Sequence, residues 1–456
     1  MIEPTQALAN YLAELTYERI PKEARHNACR AIVDTFGCAI AGIGEDAARI
    51  TTALGRADGG APRATVLGGG RAPDSLKLPP AAAALINATA GHALDYDDVN
   101  AMGHPSVPVA FTAMAAAEDA GASGRAMLAA YVAGVEVETK VNRAFTDSHY
   151  SLGWHSTATI GVLGAAAAAA KIYGLDAKKT AIAFGIAASQ ASGLRQNFGT
   201  MTKPYHPGHA SWAGLNAARL ARMGFTADAA ILDAKFGYFP VLSAGPYRVE
   251  RATAELDKWA ITTPGLSVKK YPCCYCTHGS IDAVLALKER FKIDPHAVRS
   301  VTAELSPFYI APLIHHRPAT GLEGKFSIEY TVAAAILDSR VALASFTDAM
   351  VSRPEVRTLI ERVGSKVNNT RAQGVAATFV RLTIELEDGS RLVEEVPEPR
   401  GAAGNPMSDA EIEAKFLDCW EFAPDRRGDG GAPAALAMLW DIERLDNLAE
   451  LAQVLA

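Results

Sequence analysis

The sequence predicts a mostly α-helical protein, with a large all-helical domain built from both chain ends and a smaller α+β domain set between them. Three observations predict it. From Pro4 to about residue 240, alanine-rich segments repeat apolar residues at three- and four-residue spacing, as in Ala7, Leu8, Tyr11, Leu12 and Leu15. Near Pro264 and Gly265 the period changes, and 298–305 (VRSVTAEL) alternates with the period of two of a strand. After a loop at 397–406 (PEPRGAAGNP) the pattern returns to helix. The domains are therefore placed at 1–265 together with 401–456, and at 266–400. With 456 residues the chain is too long for one ordinary core.

In order, helices are expected over 81–93, 107–120, 127–141, 157–173, 179–192 and 209–223. Small residues dominate 110–220, so backbones can approach closely. The glycine-interrupted run 160–170 is apolar almost all round and belongs at the centre. In the second domain, 379–386 and 391–396 flank Asp388-Gly389 as a β-hairpin. Helices are expected near 279–291, 325–337 and 354–363. Ser408 and Asp409 cap a further helix through Phe416, and Pro433 opens a last one over 434–455.

Composition excludes several classes. Hydrophobic residues are 49% and charged residues 21%, which fits a globular protein and neither a disordered nor a collagen-like chain. The net charge of −6 leaves no basic excess for a phosphate backbone, so no nucleic-acid partner is expected. The first residues, MIEPTQALANYLAEL, lack the basic and apolar regions of a leader, and the run 160–170 is too short to span a bilayer. The six cysteines form no disulfide framework. A cytoplasmic, reduced protein without a membrane partner is the expectation.

Seven of the eleven histidines fall in four short stretches. The first, His92-Ala-Leu-Asp95-Tyr-Asp97-Asp98 with Gly103-His104, sets three carboxylates at a helix end. They read as a solvated cap, as hard metal ligands without a closed ligand loop, or as an acid orienting a catalytic histidine. In the second (149–157), His155 sits where a loop meets a helix, which suits a neutral imidazole or a plain cap. In the third (197–209), Lys203 stands in a stiff loop of prolines and glycines, as a carboxylate binder, a base or a solvated lysine. The fourth, Lys269-Lys270-Tyr-Pro-Cys273-Cys274-Tyr-Cys276-Thr-His278, is too tightly spaced for zinc and reads otherwise as a buried junction between domains. The run Gly68-Gly69-Gly70 is neither a Walker loop nor a dinucleotide fingerprint. Histidines, lysines and carboxylates without an evident cofactor suit proton removal next to a carboxylate of a small polycarboxylate.

The order HALDYDD, GHPS, GWHSTATIG, GTMTKPYHPGHA, KKYPCCYCTH, KFSIEYTVAAAILD and KFLDC resembles the MmgE/PrpD family along nearly the whole chain. That family includes 2-methylcitrate dehydratases, cis-aconitate decarboxylases and iminodisuccinate epimerases. The resemblance implies a helical body with an α+β lid, a homodimer and cofactor-free catalysis in the cleft between domains. By motif it implies a site of Asp95, His104, His155, Lys203, Lys269, His278 and Tyr330. His104 and His155 are then the acid–base pair, with Asp95 holding an imidazole. Lys203 and Lys269 bind carboxylates, and Tyr330 hydrogen-bonds substrate or donates a proton. Tyr150, in a segment resembling the epimerases, joins the substrate-binding set. The short 98–104 loop and Val99 depart from the dehydratases, and NFGTMTKPYHPG is similar to the epimerases, while Tyr330 follows the decarboxylase pattern. The expected activity is that of a lyase or isomerase. Dehydration or hydration is placed first, epimerisation second and decarboxylation third, with a non-catalytic binding member of the same fold last.

Overall fold

Glycines set how closely the central helices pack. In the computed structural model, which describes residues 3–68, 75–100, 103–146, 148–243, 245–369, 378–423 and 430–456, the helices Gly124–Ala144 and Gly161–Ile172 meet backbone to backbone. A Cβ on Gly134 would lie 2.7 Å from the Gly164 carbonyl, so alanine does not fit there. The helices Pro80–Ala93, Ser106–Ala120 and Thr202–Arg222 pack around the same centre, and Ala165 to Ala169 are fully buried, as the apolar run predicts. Gly69 and Gly70 of the glycine run, and Ala101 and Met102 of the 98–104 loop, lie outside the described residues.

Two large cores result. The first joins the chain ends: Leu8 and Leu12 share it with Phe36, Phe111, Tyr131, Leu163, Phe416, Trp420 and Leu455. The second gathers Ile281, Val284, Leu287, Val301, Val332, Ile336, Leu382 and Ile384. It covers one face of a four-stranded sheet, in the order Val363–Val367, Val298–Leu305, Val380–Leu386, Arg391–Val396. The first pair is parallel and the other two are antiparallel, with Val301 opposite both Val363 and Ile384. The hairpin turns at Asp388 and Gly389, where Gly389 takes φ 85°. Overall the chain is mostly helical with a small mixed sheet.

Five expectations need correction. The first part is not all-helical, because Ala64–Thr65 pairs with Lys77–Leu78. Asn87 and Glu118 make this possible by bonding the backbone of Thr65 and Leu67. The 157–173 helix is two, Ser156–Thr159 and Gly161–Ile172, bending where Gly161 lies against Pro108. The helix expected from residue 209 starts at Thr202, so Lys203 sits in its first turn rather than in a loop. Pro204 is tolerated there because first-turn N–H groups have no intrahelical partner. The 354–363 helix stops at Ile360, because Val363 pairs with Val301 as a strand. The last helix breaks into Ala432–Trp440 and Ala449–Leu455 around a short turn, Ile442–Arg444.

Three buried lysines fix the segment after the Pro80–Ala93 helix. Lys325 donates to the carbonyls of Leu94 (2.6 Å) and Pro272 (2.8 Å). Lys269 donates to Asp95 O (2.9 Å), and Lys415 to Tyr96 O (2.7 Å) and Lys269 O (2.8 Å). Three successive carbonyls thus each take a different ammonium, and Asp95 adopts the left-handed φ of 52°. Lys415 is balanced by Asp34 at 2.5 Å, whose carboxyl burial pushes up to about 6 while Lys415 pulls against the rise. Val99 and Ser267 exchange backbone hydrogen bonds (2.8 Å each), closing the seam further.

Removing one partner of a buried ion pair strands the other, so Lys415→Met should cost about 3–5 kcal/mol of unfolding free energy in urea. The double change Asp34→Asn with Lys415→Met should recover much of that loss. A double variant as unstable as the sum of both single changes would show that the pair is not coupled. Gly42→Ala, whose Cβ would run into the Ala90 carbonyl, should cost about 1–3 kcal/mol by the same measurement.

Candidate active site

The left-handed turn at Asp95 sends neighbouring acids in different directions. Asp95 and Asp97 point inward, and Asp98 points back to Ser106, whose backbone N–H it accepts at 3.2 Å and whose hydroxyl it accepts at 2.5 Å. Burial pushes the Asp98 carboxyl up to about 8, with the Ser106 bonds pulling the other way. Asp95 faces a cavity of about 280 Å³ that is also lined by His104, Tyr150, His155, Lys203 and Lys269. Phe198, Phe326 and Tyr309 supply apolar wall, the mixture usual for a small-molecule site.

Charge in the cavity is organised around Asp95. Lys203 Nζ lies 2.5 Å from its Oδ1 and Lys269 Nζ 3.1 Å from its Oδ2. Burial alone would raise the Asp95 pKa, but the two ammoniums win and keep it well below the carboxylate range. Likewise, burial opposes the charge on Lys269, and Asp95 more than restores it, so that its pKa is raised. His92, Asp95 and His104 converge closely enough to hold a cation, and the Lys203 ammonium sits among them, 2.8 Å from His92 Nε2.

The imidazoles are held neutral. Burial, with the nearby lysines adding to it, lowers His104 below its ordinary 6.5 and His155 far below it. His92 falls to about 3 and His206 to about 4, burial again being the largest cause. His155 Nδ1 lies 2.9 Å from His206 Nδ1. His92 Nδ1 lies 2.8 Å from Asp97 Oδ1, and His104 Nδ1 lies 3.0 Å from Asp97 Oδ2, a close approach that is off the line of a hydrogen bond. His104 Nε2 is 3.9 Å from Asp95 Oδ1. A neutral histidine beside two ammoniums can take a proton from carbon while the cations hold carboxylates and the developing charge.

Six of the residues expected from sequence meet at this cavity: Asp95, His104, Tyr150, His155, Lys203 and Lys269. Two do not. Tyr330 is fully buried in the second core, where its hydroxyl donates to Ser345 O and its ring packs on Phe346, so it is in no position to meet a ligand. It lies in the first turn of the Ile328–Asp338 helix, whose apolar face turns inward. His278 lies between the rings of Tyr271 and Tyr275 with Nε2 3.4 Å from Cys273 O, behind the wall, and burial lowers it to about 3. The acid that meets imidazole Nδ1 atoms is Asp97, two residues beyond the Asp95 expected for that part.

His92, Asp97 and His206 were not foreseen as site residues. His206 carried a usable signal, since it stands three residues after Lys203 on the same helix. His92 and Asp97 could not be separated from a solvated helix end without the turn at Asp95. Among the described residues, Cys273, Cys274, Cys276 and His278 do not converge as a ligand set, and Cys274 and Cys276 instead line the cavity. No helix in the described residues is long and apolar enough to cross a membrane.

The chain is similar to known proteins along most of its length. Residues 6–250 match the family model of the MmgE/PrpD N-terminal domain, and residues 271–428 match that of the MmgE/PrpD C-terminal domain. The cis-aconitate decarboxylase of Homo sapiens is 26% identical over 424 residues, covering 90% of this chain and 86% of that protein. The cis-aconitate decarboxylase of Mus musculus is 27% identical over 429 residues, with 90% and 86% covered. That of Aspergillus terreus is 28% identical over 441 residues, with 90% and 88% covered. The chain belongs to the MmgE/PrpD family of enzymes.

Proposed function

We propose that the chain is a cofactor-independent lyase acting on a small di- or tricarboxylate, and that decarboxylation of a cis-aconitate-type tricarboxylate is its best-supported reaction. One observation carries the reading: a neutral His104 and two ammoniums, Lys203 and Lys269, face one cavity around the ionised Asp95. The names of the relatives favour decarboxylation over the dehydration that the sequence motifs put first.

The ammoniums bind substrate carboxylates, exchanging part of their contact with Asp95 for them. Loss of CO₂ breaks the bond to one carboxylate, and its electron pair moves through the double bond to the carbon next to another. That carbon takes a proton from the Lys203 ammonium, and His104 and His155, neutral as they stand, relay a proton from solvent to restore it. Tyr150 lies in the wall with the Arg195 guanidinium stacked 3.8 Å from its ring centre, and contributes to binding. Epimerisation is the second reading, supported by the NFGTMTKPYHPG and HYSLGWH segments, and it shares the proton-transfer groups. In the same proposal, 1–265 with 401–456 is the body and 266–400 the lid, and the cavity lies at their seam. A homodimer is supported by Tyr205 and Trp212, partly exposed on the helix that carries Lys203.

Proton NMR in D₂O tests the reaction, with cis-aconitate, 2-methylcitrate, citrate and iminodisuccinate as substrates. With cis-aconitate, CO₂ release and a new methylidene signal are expected, with deuterium on the carbon next to a carboxylate. His104→Ala and Lys203→Ala should each lower kcat by about 100-fold or more. In wild type, kcat/KM should fall on the acid side with an apparent pKa below 6.5, as His104 takes up a proton. Full activity in both variants, or silence across all four compounds, would overturn the proposal.

A further inference from the structure

We propose that Asp97 is the shared positioning residue of this site: one carboxylate that fixes the tautomer of both His92 and His104, so that the two imidazoles can take up at most one extra proton between them. Asp97 is fully buried and lies within 3.0 Å of the Nδ1 atoms of both rings. An ionised carboxylate only accepts, so the Nδ1 of His92, hydrogen-bonded to it, carries its hydrogen; at His104 the approach is off-line, but a bare Nδ1 3.0 Å from the carboxylate would set two lone pairs against each other, so it carries its hydrogen too, and each Nε2 offers a lone pair. Burial opposes the charge on Asp97, but His104 and His92 outweigh it and hold the acid well below its ordinary range.

The two free lone pairs then have different tasks. That of His92 accepts from Lys203 at 2.8 Å, which aims the ammonium while Asp95 anchors it from the other side. That of His104 turns toward Asp95 and the cavity, where a substrate carbon would sit. The ring centres are 4.3 Å apart, too close for two imidazoliums to share one negative charge without strong repulsion. A proton on His104 therefore disfavours a proton on His92, whose Nε2 lone pair stays free to accept from Lys203. The base and the acid of the site are coupled through a residue that touches neither substrate nor solvent.

Other charges around the pair act in the same direction or are balanced. Lys203 and Lys269 disfavour protonation of His104, and Asp95 lies against both lysines. His155 and His206, from the neighbouring helices, are held neutral. Behind Asp97, Asp34 is paired with Lys415 and Asp98 is bonded to Ser106. Among these groups, Asp97 is the one within hydrogen-bond distance of both rings.

The test has a half that does not depend on the proposed reaction. Nitrogen-15 NMR of histidine-labelled wild-type protein at pH 7 should show His92 and His104 as Nδ1–H tautomers, each assigned by a single substitution. In Asp97→Asn the amide offers one acceptor oxygen and one donor, so one of the two rings should switch to Nε2–H. The kinetic half rests on the lyase reading and uses cis-aconitate. There, Asp97→Asn should lower kcat by about 100-fold or more with KM within about threefold, and shift the acid limb of the pH profile. Asp97→Glu should keep both tautomers and recover part of kcat. Nε2–H at either ring in the wild type would overturn the inference, and so would unchanged tautomers and pH profile in Asp97→Asn. If wild type turns over none of the four compounds, the proposed reaction fails and the tautomers alone decide the inference.

Discussion

Everything in the site depends on how the chain turns at Asp95. Helix Pro80–Ala93 ends, and the next three carbonyls are each taken by a lysine from a different part of the chain. Lys269 and Lys325 come from the segments that build the second core, and Lys415 from the helix that returns to the first. Ammoniums are costly to bury, so each is spent on several acceptors at once, and Asp34 balances Lys415. The outcome is a backbone position that an aspartate rarely adopts, held from three sides.

That turn sorts the chemistry. With Asp95 left-handed, its carboxylate meets Lys203 and Lys269, and Asp97 reaches the histidines. Asp98 is directed away to Ser106 and does not line the cavity. Burial then does to the imidazoles what it cannot do to Asp95 and Asp97. The acids have cationic or hydrogen-bonding partners and stay charged, whereas the histidines lose their charge. A site with charged lysines and acids beside neutral imidazoles follows from one low-dielectric pocket.

Much of this was legible in the sequence, and the limits have physical causes. Helix positions followed from apolar spacing, and the hairpin from Asp388-Gly389, because those signals are local. The misplaced start of the Lys203 helix came from reading Pro204 and Pro207 as loop residues, although Pro204 in the first turn forfeits no hydrogen bond and Pro207 is carried inside the helix at the loss of one. The strand at Val363 was hidden because parallel pairing with Val301 is set by distant chain. For the site, motif order located six cavity residues, but motif position does not say which way a side chain points. Tyr330 and His278 follow the motifs and face the second core or the back of the wall instead. Lys325 and Lys415 stood in recognised motifs without a task, since a lysine bonded to backbone carbonyls leaves no pairwise signature in sequence.

In the proposed reaction Lys203, Lys269 and His104 act on one bound polycarboxylate. The most direct measurement is a crystal structure with an unreactive tricarboxylate, propane-1,2,3-tricarboxylate, bound in the cavity. Its carboxylates should contact Lys203 and Lys269, with a backbone carbon about 3–3.5 Å from His104 Nε2 and Asp97 still bridging the two imidazoles. A ligand seated away from both lysines, or one that leaves His104 on the far side of the cavity, would contradict it.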